Sequence, residues 1–516
     1  MRRGTSTFLY RCALMMAVVV STAVVSAAPM YTVELVQVVH RHGSRSPIVD
    51  DNNTLICGTV FPCGFLNYEG QRMLENFGKY LRYRYTEDPE VVLEPYFSQE
   101  SYNLSVSYSR STDVLRTLQS ANGMLRGLFP SIPDFYPAIH TLRADDDALL
   151  QSSAVPILRA RYKYADQERR NVCDPVLDSR MSFDQLQAVA AEVYSQKFCA
   201  NYTLRSRCAM RLCDIALAYQ STGQLLSFPL LGQHLDDVCA VTAAVHHFSF
   251  AYNASNPIHK EQGASFFMLA NQMVKNMKMH LNKATAPPYK LYHYSGHDTT
   301  VAPLSAVFGD SSLGAMLPPF GTAFIMELLS LADAPATSSS KFYVRLLRGH
   351  PGVTPASNFT FALSHFEMHC QDEMGNTYTA LHNICPFADF ERFINSAAPT
   401  SPMGTCYLDP GQLFRMDCPI DAAADNRSLS ADCLFYRKQC SSYACGTGYY
   451  LDGANYGCYR IPASASTPPS PRISSGGIAA LSIVLFIAGG TVSVVGVEVL
   501  RRLKKNRADK VVVVGV

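Results

Sequence analysis

The apolar run Leu35 to Val39 leads almost directly into Arg41-His42-Gly43-Ser44-Arg45-Ser46-Pro47. The β-rich stretch Thr32 to Val39 has the pattern of a strand buried on both faces. Such a strand belongs to a covered sheet, and its exit here is lined with cations. In open α/β sheets that is where ligands bind. Gly43 permits close backbone approach and Pro47 sets the following turn. Arginine forks grip phosphate oxygens in pairs. A histidine held between them can act as a nucleophile on phosphorus.

The two ends of the chain constrain where this site works. Arg2, Arg3 and Arg11 precede the apolar stretch Cys12 to Val25, and Val25-Ser26-Ala27 is a small-residue cleavage site. Residues 1–27 therefore read as a secretory signal. Ile478 to Val497 is an uncharged stretch of 20 residues followed by Arg501, Arg502, Lys504, Lys505 and Arg507. That is long enough to span a bilayer, and the basic cluster marks the cytoplasmic side. A long basic tail disfavours a GPI signal. The expected organisation is a type I membrane protein with a cytoplasmic tail over 498–516. Its stalk, over 461–477, is rich in Pro, Ser and Ala.

The 516-residue chain carries a formal charge of +2, but the termini dominate that number. The first 27 residues hold three cations, and the last nineteen hold six cations and two acids, leaving 35 basic against 40 acidic residues between them. A mildly acidic body with no basic stripe and no tryptophan excludes nucleic acid as a partner. Of 16 cysteines, Cys12 lies in the signal. Six crowd together from Cys406 to Cys458, so 401–460 reads as a cysteine-rich segment. An oxidising compartment and a disulfide framework are expected, with one thiol of the odd set free or paired between chains. No C-x-x-C pair supports zinc among the crowded six. Sequons begin at Asn52, Asn103, Asn201, Asn253, Asn358 and Asn426, all before the span.

Along the body, helical spacing covers Gly70 to Tyr85, and Leu104, Val106 and Tyr108 alternate as a strand. That strand runs into Arg110-Ser111-Thr112-Asp113, where Ser111, Thr112 and Asp113 are plausible caps for a helix through Leu115 and Leu125. Arg116 would then sit near a helix N-terminus, which favours anions. From about 130 to 286 helical segments dominate (Phe183 to Lys197, Arg211 to Gln220, Ala264 to Leu281), the pattern of an insertion in an α/β core. Strand signals return at Tyr289 to Tyr294, Ala323 to Leu329 and Lys341 to Leu347. The first of these ends in Tyr294-Ser295-Gly296-His297-Asp298-Thr299-Thr300. A carboxyl beside an anion site has its ionised form disfavoured, so Asp298 can stay protonated and donate to a leaving oxygen. Weaker signals are His365 with His369, which lack a third metal ligand by spacing, and Asp145-Asp146-Asp147, read as a solvated loop. His246-His247 reads as structural or exposed.

Arg41 to Pro47 resembles the R-H-G-x-R-x-P signature of the histidine acid phosphatases. Arg110 to Asp113 with Arg116-Thr117 and Ser120-Ala121 is similar to the family's second block, and His297-Asp298 to its C-terminal pair. The resemblance runs from about Val33 to Phe390. It implies an α/β fold with a phosphoglycerate-mutase-like mixed sheet flanked by helices and an inserted helical cap, here within 28–400. It implies His42 as nucleophile, Asp298 as general acid, and Arg41, Arg45, Arg116 and His297 as the phosphate clamp. No metal and no cofactor are required, since three guanidiniums can neutralise the transferring group.

Phosphate monoesters are the expected substrates, with phytase or inositol-polyphosphate phosphatase as the alternative within the superfamily. From another class, the alternative is a catalytically silent receptor or adhesion protein on this scaffold. The expected location is a lysosomal or endosomal membrane or the cell surface, and a homodimer is compatible with these readings.

Overall fold

The computed structural model describes residues 31–462, except 50–52, 93, 132–134, 195–197, 200–204, 283–286, 288, 332–340 and 420–428. The signal, the span and the tail expected from the sequence lie outside the described residues, as does the stalk beyond Pro462. Among the described residues no helix is long and apolar enough to cross a membrane.

The expected first strand is β1, Tyr31–Arg41, and it lies at the centre of a mixed sheet. The other strands in chain order are β2 (Ser107–Ser111), β3 (Ile139–His140), β4 (Leu291–Gly296), β5 (Ala323–Leu331), β6 (Phe342–Pro351), β7 (Phe361–Ser364) and, after a small β8–β9 ribbon (His369–Gln371 and Thr377–Thr379), β10 (Ile384–Pro386). The order across the main sheet is β10-β6-β5-β1-β4-β2-β3, with β7 beside β6. The pairs β1–β4, β4–β2 and β2–β3 are parallel, while β5 runs antiparallel to both β1 and β6. Every residue of β4 is buried, which is what a strand covered on both faces requires.

Alternation along β1 sorts its side chains between two helical layers. Val36 and Val38 enter a core with Phe77, Leu81, Met124 and Leu128, supplied by the helices Tyr68–Thr86 and Leu115–Leu128. These two helices approach closely through glycines. A Cβ on Gly78 would lie 2.0 Å from the Met124 carbonyl oxygen, and one on Gly127 would lie 2.1 Å from that of Glu75. On the opposite face Gln37 donates through Nε2 to the Met273 carbonyl (2.8 Å) and accepts from Asn276 Nδ2 (2.9 Å). The helix Phe267–Leu281, the last of the expected insertion, thus lies on the sheet.

The remaining chain between β3 and β4 is helical, with no strand among its described residues. Leu177, Leu186, Leu212, Ile215, Leu231 and Val241 form a second core there. Its main helices include Phe183–Val193, Arg205–Thr222 and Leu235–Phe250. The disulfides Cys199–Cys208 and Cys213–Cys239 cross-link this cap. Cys173 is the free thiol among the described cysteines, and it is buried.

The stretch read as one cysteine-rich segment over 401–460 divides. Its described residues up to Ala444 belong to the first compact unit. Cys406–Cys440 and Cys418–Cys433 hold the helix Ala431–Gln439. Asp432 on that helix accepts from Arg159 Nε (2.9 Å), Lys163 Nζ (2.8 Å) and the Tyr164 hydroxyl (2.6 Å). Residues from Cys445 belong to a second unit, whose described part is a hairpin of β11 (Tyr449–Leu451) and β12 (Cys458–Arg460) closed by Cys445–Cys458. The sequons at Asn103, Asn253 and Asn358 are exposed.

Candidate active site

Three parallel strands deliver the three sequence motifs to one edge. Arg41 pairs with Gly296 across β1 and β4, and Ser111 with Ser295 across β2 and β4. Backbone bonds continue the registration past the strand ends. The His42 amide donates to the Gly296 carbonyl (2.9 Å), and the Thr112 amide to that of Ser295 (3.1 Å). Residues 255 positions apart in the chain therefore meet because their strands are hydrogen-bonded neighbours.

The loop after β1 is held from below by the helix Tyr68–Thr86. A Cβ on Gly43 would sit 2.2 Å from the Gly70 carbonyl oxygen, and one on Gly70 would sit 2.0 Å from that of Ser44. The glycine of the motif is thus needed for backbone-to-backbone contact. The Gly43 amide donates to Ser120 Oγ (3.1 Å), and Asn67 Nδ2 donates to Ser44 Oγ (2.9 Å).

His42 is 2% exposed. Its Nδ1 lies 2.8 Å from its neighbour's carbonyl oxygen, on Gly43. A carbonyl only accepts, so Nδ1 carries the proton and Nε2 keeps its lone pair. Burial lowers the pKa of this imidazole well below its ordinary value, and the nearby Arg116, Arg41 and Arg45 lower it further. Burial and the guanidiniums thus both favour the neutral imidazole.

The guanidiniums of Arg41 and Arg45 lie over the Phe320 ring, at 4.3 and 5.7 Å from its centre. Arg41 donates to the Pro318 carbonyl (2.6 Å) and pairs with Asp298 (2.9 Å). Arg116, the second residue of its helix, reaches His297 Nδ1 at 3.4 Å. Burial, then the neighbouring Arg45, pushes Arg116 down to about 10, so it stays charged in acid. The Nε atoms of Arg41, Arg45 and Arg116 are all buried with no hydrogen-bond partner in the protein. Unpaired buried N–H groups are rare and costly. Three of them around one neutral histidine form a cradle for an anion.

His297 accepts from Arg116 at Nδ1, which leaves Nε2–H to donate to Thr112 Oγ1 (3.0 Å). Burial lowers this imidazole to about 3, with Arg116 adding to the effect. His297 thus links Arg116 to Thr112 and, as a neutral ring, has no spare N–H in this arrangement.

Burial raises the Asp298 carboxyl, but Arg41, then His246, Arg45 and His297 outweigh burial and hold it below the usual carboxylate range. Surrounded by the chain's own groups, Asp298 is ionised; the expectation of a protonated Asp298 concerned the site with a substrate's negative charge beside it. The expected helix cap after β2 is corrected. Val114 takes that position, with no side-chain cap. Ser111 Oγ donates instead to the Thr112 carbonyl, and Thr112 Oγ1 bonds Thr117 Oγ1 and His297.

Two residues escaped sequence reasoning. Asp214, on the cap helix Arg205–Thr222, takes both terminal nitrogens of Arg45. Asp147 is buried at 1% exposure and pairs with Arg110 on β2 at 2.5 Å, so the solvated-loop reading fails for Asp147, while Asp145 and Asp146 are exposed. Asp145 and Asp146 bind Arg159 and Lys438. A lone aspartate in a helix carries no signal for a partner 169 residues away. The triplet did have one, since it follows the β3 edge that neighbours β2.

His246 is buried and donates to the Met316 carbonyl (2.8 Å), and His247 is exposed.

The chain is similar to known proteins to different degrees. The chain is 26% identical over 321 residues to prostatic acid phosphatase of Bos taurus, covering 57% of this chain and 73% of that one. It is 28% identical over 355 residues to lysosomal acid phosphatase of Xenopus laevis, covering 66% and 74%. The fold is similar to that of the phytase from Citrobacter braakii, with a TM-score of 0.50 at 14% identity over 71% of this chain and 98% of that one. The model of the histidine phosphatase superfamily (branch 2) matches residues 32–348, which take in all three motifs around His42. With most of its length inside that match, the chain belongs to the histidine phosphatase superfamily, branch 2.

Proposed function

We propose that this chain is an acid phosphatase that hydrolyses phosphate monoesters through a phosphohistidine on His42. The observation that carries this reading is the neutral His42 ringed by three guanidiniums with unpaired buried N–H groups. The names of the curated relatives, prostatic and lysosomal acid phosphatases, support the same class. They favour it over the phytase alternative, for which the Citrobacter structure speaks to the fold alone.

Arg41, Arg45 and Arg116 orient the phosphoryl group and neutralise its charge, which is most of what phosphoryl transfer asks of a protein. The His42 Nε2 lone pair forms the N–P bond as the P–O bond to the alcohol breaks. The leaving oxygen takes a proton from Asp298. Water then attacks phosphorus and gives a proton to Asp298 as the N–P bond breaks, which returns the lone pair to His42 Nε2 and releases phosphate. For this cycle Asp298 must gain a proton when the substrate binds. A phosphoryl group drawn onto Arg41 competes for the guanidinium that holds Asp298 ionised and adds negative charge beside it, and both effects raise the carboxyl. His297 holds Arg116 in the clamp.

Asp298→Asn tests the acid. Hydrolysis of alkyl phosphates should fall by roughly a hundredfold or more, the usual worth of a positioned acid. Nitrophenyl phosphate, whose leaving group needs little protonation, should lose far less. Equal losses on both substrates would leave Asp298 with a positioning role only.

The catalytic body faces the lumen or the outside, as a type I protein of the lysosomal or endosomal membrane or the cell surface. Support comes from the uncharged 20-residue stretch Ile478 to Val497 and the cations after it, from exposed sequons, and from disulfides throughout the described body. A chain stopped near Ser470 should be released into the medium as active enzyme. Its retention on membranes after a carbonate wash would contradict the anchor.

A further inference from the structure

Arg45 gives both terminal nitrogens to Asp214 and keeps its Nε–H for a phosphoryl group. Arg45 Nη2 lies 2.6 Å from Asp214 Oδ1, and Nη1 lies 3.1 Å from Oδ2. The same carboxylate accepts the Ile48 amide at 2.8 Å. It is fixed from behind as well, because the adjacent Cys213 is bonded to Cys239 on the helix Leu235–Phe250. Asp214 is therefore a permanent anion, delivered by the cap into a clamp built by the sheet.

The charge count around His42 follows. Arg41, Arg45 and Arg116 face Asp214 and Asp298, while His42 and His297 are neutral. Above the pH range in which imidazoles charge, one net positive charge remains in this largely buried site. A phosphate monoanion neutralises it, whereas a dianion leaves an uncompensated buried negative charge, which is costly.

We propose that Asp214 is a positioning residue that makes this site bind phosphate together with one proton. The inference rests on the phosphatase reading and supplies what that reading needs. The proton that enters with the ligand is shared between the phosphoryl oxygen and Asp298, and it leaves on the alcohol as the P–O bond breaks. The charged groups facing Asp214 are Arg45 and Arg41 from β1 and its loop, and Arg116 from the helix after β2. Asp298, from the helix after β4, faces Arg45 and Arg41, with His246 of the cap beside that carboxylate. Arg211 lies on Asp214's own helix and donates to the Ile48 carbonyl (3.2 Å).

The test measures binding of inorganic phosphate to the full-length chain by calorimetry, above the pH range in which imidazoles charge. For the native protein the affinity should fall about tenfold per pH unit above the second ionisation of the ligand, the slope of one linked proton. Measured in two buffers of different ionisation enthalpy, about one proton should be taken up per phosphate bound. In Asp214→Asn the slope should approach zero, with tighter binding than the native protein at the alkaline end. Asp214→Glu, which keeps the charge, should keep the slope.

A folded Asp214→Asn protein with the native slope and a uniform change in affinity overturns the inference and leaves the phosphatase reading intact. Native protein that binds phosphate with no proton uptake overturns it without any variant. Native protein that does not bind phosphate overturns the phosphatase reading itself.

Discussion

His42→Ala should lower kcat by roughly a thousandfold or more on every phosphate monoester, with the protein still folded. The nucleophile is the one group in the site whose role no neighbour can take. Arg41, Arg45 and Arg116 would still bind the ester, so the loss should fall on kcat and leave KM within a few-fold. Stability should change little. The ring makes one hydrogen bond, to its neighbour's carbonyl on Gly43, and its environment already favours a neutral side chain. Substantial turnover by the folded variant would remove His42 from the chemistry.

Glu327→Ala should destabilise the fold by about 3–5 kcal/mol, the cost of breaking a buried ion pair from one side. Glu327 lies in the middle of β5 with no exposure. It accepts from Arg84 Nε (2.8 Å), the Tyr85 hydroxyl (2.7 Å) and Arg345 Nε (2.5 Å). Alanine would leave two guanidiniums facing a hydrophobic core without a counter-charge. Burial opposes ionisation of Glu327, but Arg84 and Arg345 win and hold its carboxyl below the ordinary value. Its contribution is therefore fully present above the unfolded-state pKa, near 4.3, and is lost as pH falls through the lower folded-state value. The penalty of the substitution should shrink only in strong acid. Denaturant midpoints measured at neutral pH with disulfides intact check this, and a loss below about 1 kcal/mol would contradict it.

The parts of the fold visible in the sequence share a physical cause. Apolar strands that end abruptly in charge, as β1 and β4 do, must be buried along their length and open at one end, so both their boundaries and the place of the site can be read. The helix Tyr68–Thr86 was visible for a similar reason, since Met73, Leu74, Phe77 and Leu81 recur at helical spacing and all four are buried. What the sequence concealed depends on partners distant in the chain. Asp214 looks like any helical aspartate until the cap folds onto Arg45. Asp147 looks solvated until β3 lies beside β2. The pairing of Asp298 with Arg41, which comes from a different strand, is equally invisible in the sequence. The cap after β2 failed because Thr112 has a stronger claim on its hydroxyl, the ring of His297. Charge neighbourhoods are set by topology, and local pattern does not report them.

The central claim is that phosphorus passes onto His42. Enzyme turning over a ³²P-labelled monoester should be quenched in denaturant within the first turnovers, and the labelled peptide mapped. The account predicts label that is stable to base and labile to acid, on the peptide containing His42, and absent from His42→Ala. Label on another residue, or full turnover with no covalent label at any quench time, would contradict it.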